Sequence, residues 1–342
     1  MKKIFIILFA LLANTYTKAQ AIKILSSGTK TSLRGLSVVS DKVVWASGSN
    51  GKVAHTSDAG VTWEWITVKD FEKRDFRDIE AFDDSTAVIM AIDEPAYILK
   101  TKDAGKTWKI VYSNFDKGMF LDAMDFNGDK NGIVIGDPIK GKFFIAKTKD
   151  GGETWQEQNY DSRPLADSGE ACFASSGTNI RLLKNGKKIF ISGGISSHFF
   201  YDNNKKALPI LQGIESTGAN SVAFKDKKKF IVVGGDFNKK DAVEKTCFIT
   251  DNAGKKWYSP IQPPLGYRSC IEFIKDKTWI TCGLNGVDIS TNDGKNFKSI
   301  STESFHVCRR EKKGQTVFFA GNNGKLGFYR YYFKNGKNYL LK

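Results

Sequence analysis

No C-x-x-C pair occurs anywhere in the chain, which excludes a thioredoxin-type redox motif and the usual zinc knuckles. There are only five cysteines, Cys172, Cys247, Cys270, Cys282 and Cys308, and the odd number leaves at least one thiol unpaired in an oxidising compartment. The three histidines, His55, His198 and His306, are scattered and lack metal-ligand spacing, so no metal is expected. Walker loops, G-x-S-x-G elbows and dinucleotide fingerprints are absent; Gly193-Gly194 and Gly234-Gly235 end apolar runs instead of opening helices. No cofactor is expected. Heptads and long amphipathic helical stretches are missing too, and proline is scarce at seven residues.

Apolar runs are short everywhere, including the longest, Ile4 to Ala13. That one follows Lys2 and Lys3 and precedes Thr17-Lys18-Ala19, which offers small residues at the cleavage positions, so residues 1–20 read as a signal peptide. The run is too short to span a bilayer. No cysteine stands at the cut, which argues against a lipoprotein. The mature chain, 21–342, is expected to be exported, periplasmic or extracellular, as one domain and a monomer.

What the chain has in quantity is a repeat. Thr56-Ser57-Asp58-Ala59-Gly60-Val61-Thr62-Trp63 returns as Thr101-Lys102-Asp103-Ala104-Gly105-Lys106-Thr107-Trp108 and as Thr148-Lys149-Asp150-Gly151-Gly152-Glu153-Thr154-Trp155. Looser copies are Thr250-Asp251-Asn252-Ala253-Gly254-Lys255-Lys256-Trp257 and Thr291-Asn292-Asp293-Gly294-Lys295-Asn296-Phe297. Trp63, Trp108 and Trp155 recur at intervals of 45 and 47 residues, with short β-type runs between them, and such a period means propeller blades. Each copy has a mechanical reading. The aspartate accepts from nearby backbone N–H groups in a turn, the glycine takes positive φ without steric cost, and the tryptophan opens the next strand with a ring to bury. On this reading Asp58, Gly60, Trp63, Asp103, Gly105, Trp108, Asp150, Gly152, Trp155, Gly254, Trp257 and Asp293 are structural.

The spacing predicts an all-β, seven-bladed propeller of four-stranded antiparallel blades. Inner strands are expected to begin near Arg34, Arg77, Asp122, Glu170, Asn220, Arg268 and His306. The fourth repeat, from Glu170 to Gln212, has lost the clip and turns at Tyr201-Asp202-Asn203-Asn204. The seventh has three clear strands; Ile22 to Leu25 can supply the fourth and close the ring. The Asn335-Gly336 turn in the tail signals a competing hairpin strand. Cys270 and Cys282 flank a hairpin turning at Asp276 and are the candidate disulfide pair.

The clips occupy third-to-fourth-strand turns, so the opposite face carries the second-to-third loops and the inner-strand starts. Arg34, Arg77, Asp122, Glu170, Asn220, Arg268 and His306 would ring a central mouth there, with three arginines suited to carboxylate or phosphate. The loops add Asp93-Glu94-Pro95, Gly136-Asp137-Pro138 and Gly235-Asp236-Phe237; Asp93, Glu94, Asp137 and Asp236 are the acids a glycoside hydrolase would draw on. The net charge of +15, strongly positive even without Lys2, Lys3 and Lys18, favours anionic partners. Much of the lysine lies in turns such as Lys225-Asp226-Lys227-Lys228-Lys229, where it serves solubility. Export argues against nucleic acid as the partner.

The S/T-x-D-x-G-x-T-W clip resembles the Asp-box (BNR) repeat of sialidases, sortilin-like receptors and the Ycf48/HCF136 photosystem II assembly factors. The count of seven blades and the arginine-started inner strands are most similar to the last of these. That resemblance implies an exported binding or assembly scaffold without catalysis, whose partner is a protein or an anionic glycan or envelope component. In photosynthetic hosts the family binds a membrane protein during photosystem assembly. The alternative, a sialidase-like or other glycoside hydrolase, departs in blade count. Leu33-Arg34-Gly35-Leu36 also differs from the F/Y-R-I-P signature of sialidases.

Overall fold

The computed structural model describes residues 22–330; residues 1–20, expected to be a signal peptide, and the turn expected at Asn335-Gly336 lie outside these residues. Seven antiparallel sheets form the seven blades of a ring. Blade 1 runs through Leu33–Val38, Val44–Gly48, Lys52–Thr56 and Glu64–Thr67, and blades 2 and 3 repeat that order from Phe76–Ala81 and Leu121–Asn127. Blade 5 has the strands Thr217–Phe224, Phe230–Asp236 and Cys247–Thr250, and Tyr258 paired with Ile249 stands in the fourth position. The second strand of each blade is buried on both faces, as in Ala87–Ala91 and Phe230–Asp236, and therefore reads as a continuous apolar run without alternation.

The core lies between blades. Trp45, Val53, Phe76, Ile79, Ile89 and Leu99 fill the seam of blades 1 and 2, and analogous clusters fill the seams that follow. The last cluster spans blades 6, 7 and 1, because Lys23–Ser26 pairs antiparallel with Leu326–Arg330 and supplies the outer strand of blade 7. The N-terminal run thus closes the ring, one of the two arrangements its sequence allows.

The clips have the geometry their residues require. Asp103 Oδ1 accepts the Thr107 N–H at 2.9 Å and Oδ2 accepts the Thr107 hydroxyl at 2.6 Å, while Thr101 Oγ1 accepts the Gly105 N–H at 3.0 Å. Gly105 sits at φ +84, and a Cβ there would lie 2.7 Å from Ile66. Asp58 and Asp150 repeat the arrangement. Bonds from the threonine hydroxyls and amides hold all three carboxyls down at about 2. In blades 5 and 6 the acceptor is an asparagine, Asn252 or Asn292, each taking the N–H four residues on. Asp293 is therefore not the clip acceptor; it follows Asn292 at φ +65 and pairs with Lys225. Since asparagine already serves twice, Asp103→Asn is expected to keep most of the thermal midpoint and Asp103→Ala to lower it, measurable by differential scanning calorimetry.

Blade 4 departs from the expected plan. Its inner strand is Ile180–Leu182, not a run from Glu170. The preceding residues, Phe173–Asn179, enter the central channel. There the Ser175 carbonyl accepts from Arg34 of blade 1 at 3.3 Å, and the Gly177 carbonyl accepts from Arg309 of blade 7 at 2.9 Å. Ser176 Oγ donates to the Ser269 carbonyl of blade 6 at 2.7 Å, and Thr178 Oγ1 donates to Ser221 of blade 5 at 2.7 Å. Blade 2 meets the segment through Asp78: a Cβ on Gly177, at φ +62, would lie 2.3 Å from that carboxylate. Phe173, Ala174 and Ser175 of this plug line one cavity, and a second cavity is lined by Ser37, Glu80, Asp125, Arg181, Glu272 and Arg309.

Candidate functional site

Above the plug, on the face opposite the clips, opens a cavity of about 480 Å³. How the side chains reach it follows from the register of the inner strands. The pairing of first with second strands slips between Leu33 and Gly35, between Phe76 and Asp78, between Leu121 and Ala123, and between Ala219 and Ser221. The residue stepped over is Arg34, Arg77, Asp122 or Asn220. A β-bulge re-aims the side chain of its extra residue; here it recurs in four blades near the start of the inner strand, and Arg34, Arg77 and Asn220 line the cavity while Asp122 is buried.

Arg34, Arg77, Asn220 and His306 line the cavity as the sequence predicts. Arg34 is half-buried, and its one hydrogen bond to protein is the 3.3 Å contact with the Ser175 carbonyl. Burial lowers its pKa, and the neighbouring Arg77 lowers it further. Arg77 is held by Asp75 at 2.9 Å. His306 Nε2 meets Asn322 Oδ1 at 2.9 Å, and burial, followed by the charge of Arg34, pushes the ring down to about 4, so it is neutral at pH 7. Asn220 accepts from the Tyr267 hydroxyl at 2.9 Å. Phe120, Phe173, Phe237 and Tyr267 add aromatic surface, and Phe173 and Phe237 meet edge-on at 6.0 Å.

Three of the expected mouth residues, Arg268, Glu170 and Asp122, do not line the cavity. In blade 6 the position facing the axis belongs to Ser269, one residue after Arg268. Arg268 is 1% exposed and turns into the blade, where Nε donates to Asp288 Oδ2 at 2.7 Å and Nη1 donates to the Tyr267 carbonyl at 2.8 Å. Glu170 belongs to a two-residue strand paired with Gly193–Gly194, outside the mouth. Its carboxylate meets His198 Nδ1 at 3.0 Å and Lys205 Nζ at 2.8 Å. Burial pushes Glu170 up, but His198, the Asp167 N–H and Lys205 outweigh it and leave the group lowered.

With Asp167, Glu170 and His198 form the one group of metal-capable donors among the described residues, their ligand atoms lying within 4.8 Å of one another. The Lys205 ammonium sits among them, also 2.7 Å from Asp167, and supplies the positive charge itself. The spacing of the histidines gave no sign of this cluster, because Glu170 opens the strand Glu170–Ala171, Asp167 lies just before it, and His198 opens the separate strand His198–Tyr201.

Of the four loop acids, Asp137 alone lines the cavity. Burial raises it to about 6, opposed by the Cys172 N–H it accepts at 2.9 Å. Asp122 lies beside it, fully buried and below the cavity lining, and burial, then the charge of Asp137, holds it well above the carboxylate range. Asp236 is buried and caps the Asn238 N–H; Glu94 accepts from the Gly118 N–H; and the Asp93 carbonyl accepts from Arg74. Cys270 and Cys282 are register partners on adjacent strands of blade 6, and the structure holds both as free thiols, with the Cys270 thiol 3.2 Å from the Cys308 carbonyl.

Beneath the plug, Asp78 accepts from the N–H groups of Ile79 and Met124 at 2.9 and 2.8 Å. Burial raises it to about 8, against the pull of Arg309. A carboxyl whose folded pKa is raised binds its proton more tightly when folded, so its contribution to stability is full below its unfolded pKa near 4 and is lost as pH climbs towards 8. Asp78→Asn is therefore expected to gain stability relative to the parent between pH 5 and pH 8, read by urea unfolding at each pH. Parallel pH curves would contradict this.

No protein-family model and no curated protein matches the chain. Solved structures do. YCF48 bound to D1 peptide superposes with a TM-score of 0.63 at 15% identity, over 92% of this chain and 99% of the other. The chain has the YCF48 fold. A second structure, YCF48 from Cyanidioschyzon merolae, superposes with a TM-score of 0.63 at 17% identity, over 90% of this chain and 98% of the other. The YCF48 likeness covers all seven blades, so it supports the ring as a whole and not one motif within it.

Proposed function

We propose that this chain is a non-catalytic binding scaffold that holds an anionic segment of a protein partner in the Arg34–Arg77 mouth. The observation that carries the reading is the state of Arg34. It is a half-buried guanidinium beside a second arginine, and among the described residues its hydrogen bond goes to one carbonyl, while the nearby Asp75 carboxylate is engaged by Arg77. A desolvated cation with no carboxylate in direct contact is costly, and a carboxylate entering the cavity would relieve it through paired N–H donors. A YCF48 structure holding a D1 peptide supports a peptide as the kind of ligand such a ring accepts. The clips resemble Asp boxes and serve as turn locks on the far face.

The hydrolase alternative finds less support. Two carboxylates must flank the scissile bond, and of the acids near the mouth Asp137 is within reach of a ligand while its neighbour Asp122 is sealed beneath the lining. The N-terminal features of residues 1–20 support export to a periplasmic or extracellular location, and the scaffold acts as a monomer. No helix among the described residues is long and apolar enough to cross a membrane.

The test is binding of a fluorescein-labelled peptide rich in glutamate and of its glutamine counterpart, followed by anisotropy. The acidic form is expected to bind and the amide form to fail; equal binding of both would sink the proposal.

A further inference from the structure

The mouth has a lopsided rim. The arginines of its cavity belong to blades 1 and 2, whereas five exposed apolar side chains stand on the loops of blades 4 to 6, interspersed with exposed lysines such as Lys239, Lys240 and Lys245; Phe115, Leu165 and Ile261 are exposed on other blade-to-blade links. Ile195 (45% exposed) lies between the second and third strands of blade 4, and Ile214 (51%) lies on the link to blade 5. Phe237 (40%) and Val243 (47%) belong to the second-to-third loop of blade 5, and Leu265 (53%) to the link into blade 6. All five stand on second-to-third loops or blade-to-blade links, hence on the mouth face.

Backbone bonds tie their carriers into one run. Gly213 N donates to the Gly194 carbonyl at 3.2 Å, joining the loops of Ile195 and Ile214. Phe237 N donates to the Ser216 carbonyl at 3.2 Å, and Tyr267 N donates to the Lys240 carbonyl at 2.9 Å, carrying the run on to the loop of Leu265. Phe237 belongs to both features: it lines the cavity that holds Arg34 and Arg77, and it opens the apolar arc. Contiguous exposed apolar surface rimmed by polar residues marks an interaction site, whereas scattered apolar residues do not.

We propose that the arc of Ile195, Ile214, Phe237, Val243 and Leu265 is the second half of the partner's footprint. It receives the apolar side chains of an extended protein segment whose acidic side chain enters the mouth. This rests on the anion-binding reading of the mouth and adds the partner's other chemistry. Charge complementarity fixes one end of the segment at Arg34 and Arg77; continuity through Phe237 sets the direction in which the rest leaves. A free small anion would leave the arc uncovered, and a purely apolar segment would leave Arg34 without its counter-charge. The occupant is therefore a segment carrying both, with the acid at one end of an aliphatic run. Burial of several aliphatic side chains on the arc supplies affinity, and the arginines supply register and charge selection.

The test uses three short labelled peptides against the parent and an Ile214→Ser/Leu265→Ser variant. Both positions are exposed, so the variant is expected to keep its thermal midpoint, which is checked first. One peptide carries a glutamate followed by leucines, the second replaces the leucines by serine, and the third replaces the glutamate by glutamine. The first is expected to bind the parent at least about tenfold more tightly than the second, equivalent to about 1.4 kcal/mol, and to lose that margin on the variant. If the serine peptide binds the parent as tightly as the leucine peptide, or the variant binds the leucine peptide as the parent does, the arc has no role and the mouth reading survives. If the glutamine peptide binds as well as the first, or if none binds, the mouth reading fails and this inference fails with it.

Discussion

Arg268→Ala is expected to cost about 3–5 kcal/mol of folding stability, the range for removing one partner of a buried ion pair. Arg268 and Asp288 are each 1% exposed, and two guanidinium nitrogens converge on Asp288 Oδ2. The substitution would leave that carboxylate buried without a counter-charge, and Asp288 Oδ1 already lacks a hydrogen-bond partner. It would also free the Tyr267 carbonyl and Asn285, which the same guanidinium engages. Replacing both partners with apolar residues, as in Arg268→Met/Asp288→Leu, is expected to recover most of the loss, since no unpaired charge then remains. Urea unfolding of the three proteins gives the comparison. A loss below about 1 kcal/mol for Arg268→Ala, the value of an exposed pair, would mean that the residue is not held as described.

The second large effect is on binding and not on folding. Arg34→Ala/Arg77→Ala is expected to weaken an acidic peptide at least about a hundredfold, since each charge-assisted hydrogen bond contributes roughly 1.5–3 kcal/mol. Arg34 alone makes few contacts with protein and is desolvated beside a like charge, so Arg34→Ala is expected to hold or raise the thermal midpoint. Arg77→Ala releases Asp75, which is partly exposed, and is expected to change stability by less than about 1 kcal/mol. Parent affinity should fall as salt rises, because the mouth is open to solvent and its field is screened. The pairing of these results separates the arginines: Arg268 governs the fold, Arg34 and Arg77 the ligand. A double variant that binds the acidic peptide like the parent would remove the mouth from the account.

Much of this was legible in the repeat. Clip glycines and tryptophans announced the blades, and the equal distance of 14 residues from Trp63 to Arg77 and from Trp108 to Asp122 placed those two at equivalent positions. The bulge near the start of these inner strands was not legible, because it is a backbone slip of one residue. In blade 6 the pairing of first with second strand begins at Cys270, and Ser269, not Arg268, lines the cavity. Blade 4 failed for another reason. Counting from the clip at Thr148–Trp155 leads to Glu170, but the chain there pairs with Gly193–Gly194 and runs through the plug of Phe173–Asn179 before the inner strand Ile180–Leu182 begins. A signal was present in the unusual length of chain between Glu157 and Ile180, compared with the short links from Thr67 to Phe76 and from Asn114 to Leu121. A link that long has somewhere to go, and here it fills the channel and floors the site. The acids were misjudged for the same reason: loops of equal sequence character place Asp137 in the cavity and keep Asp93, Glu94 and Asp236 out of it.

The central claim, that the mouth holds an anionic segment of a protein partner, is tested most directly by capture from the native cell envelope. The baits are the mature protein and its Arg34→Ala/Arg77→Ala variant, matched in thermal midpoint, with Arg268 left intact in both. The account predicts a protein retained by the parent, lost by the variant, and displaced from the parent by an excess of acidic peptide. Equal recovery on both baits, undisturbed by the peptide, would contradict it.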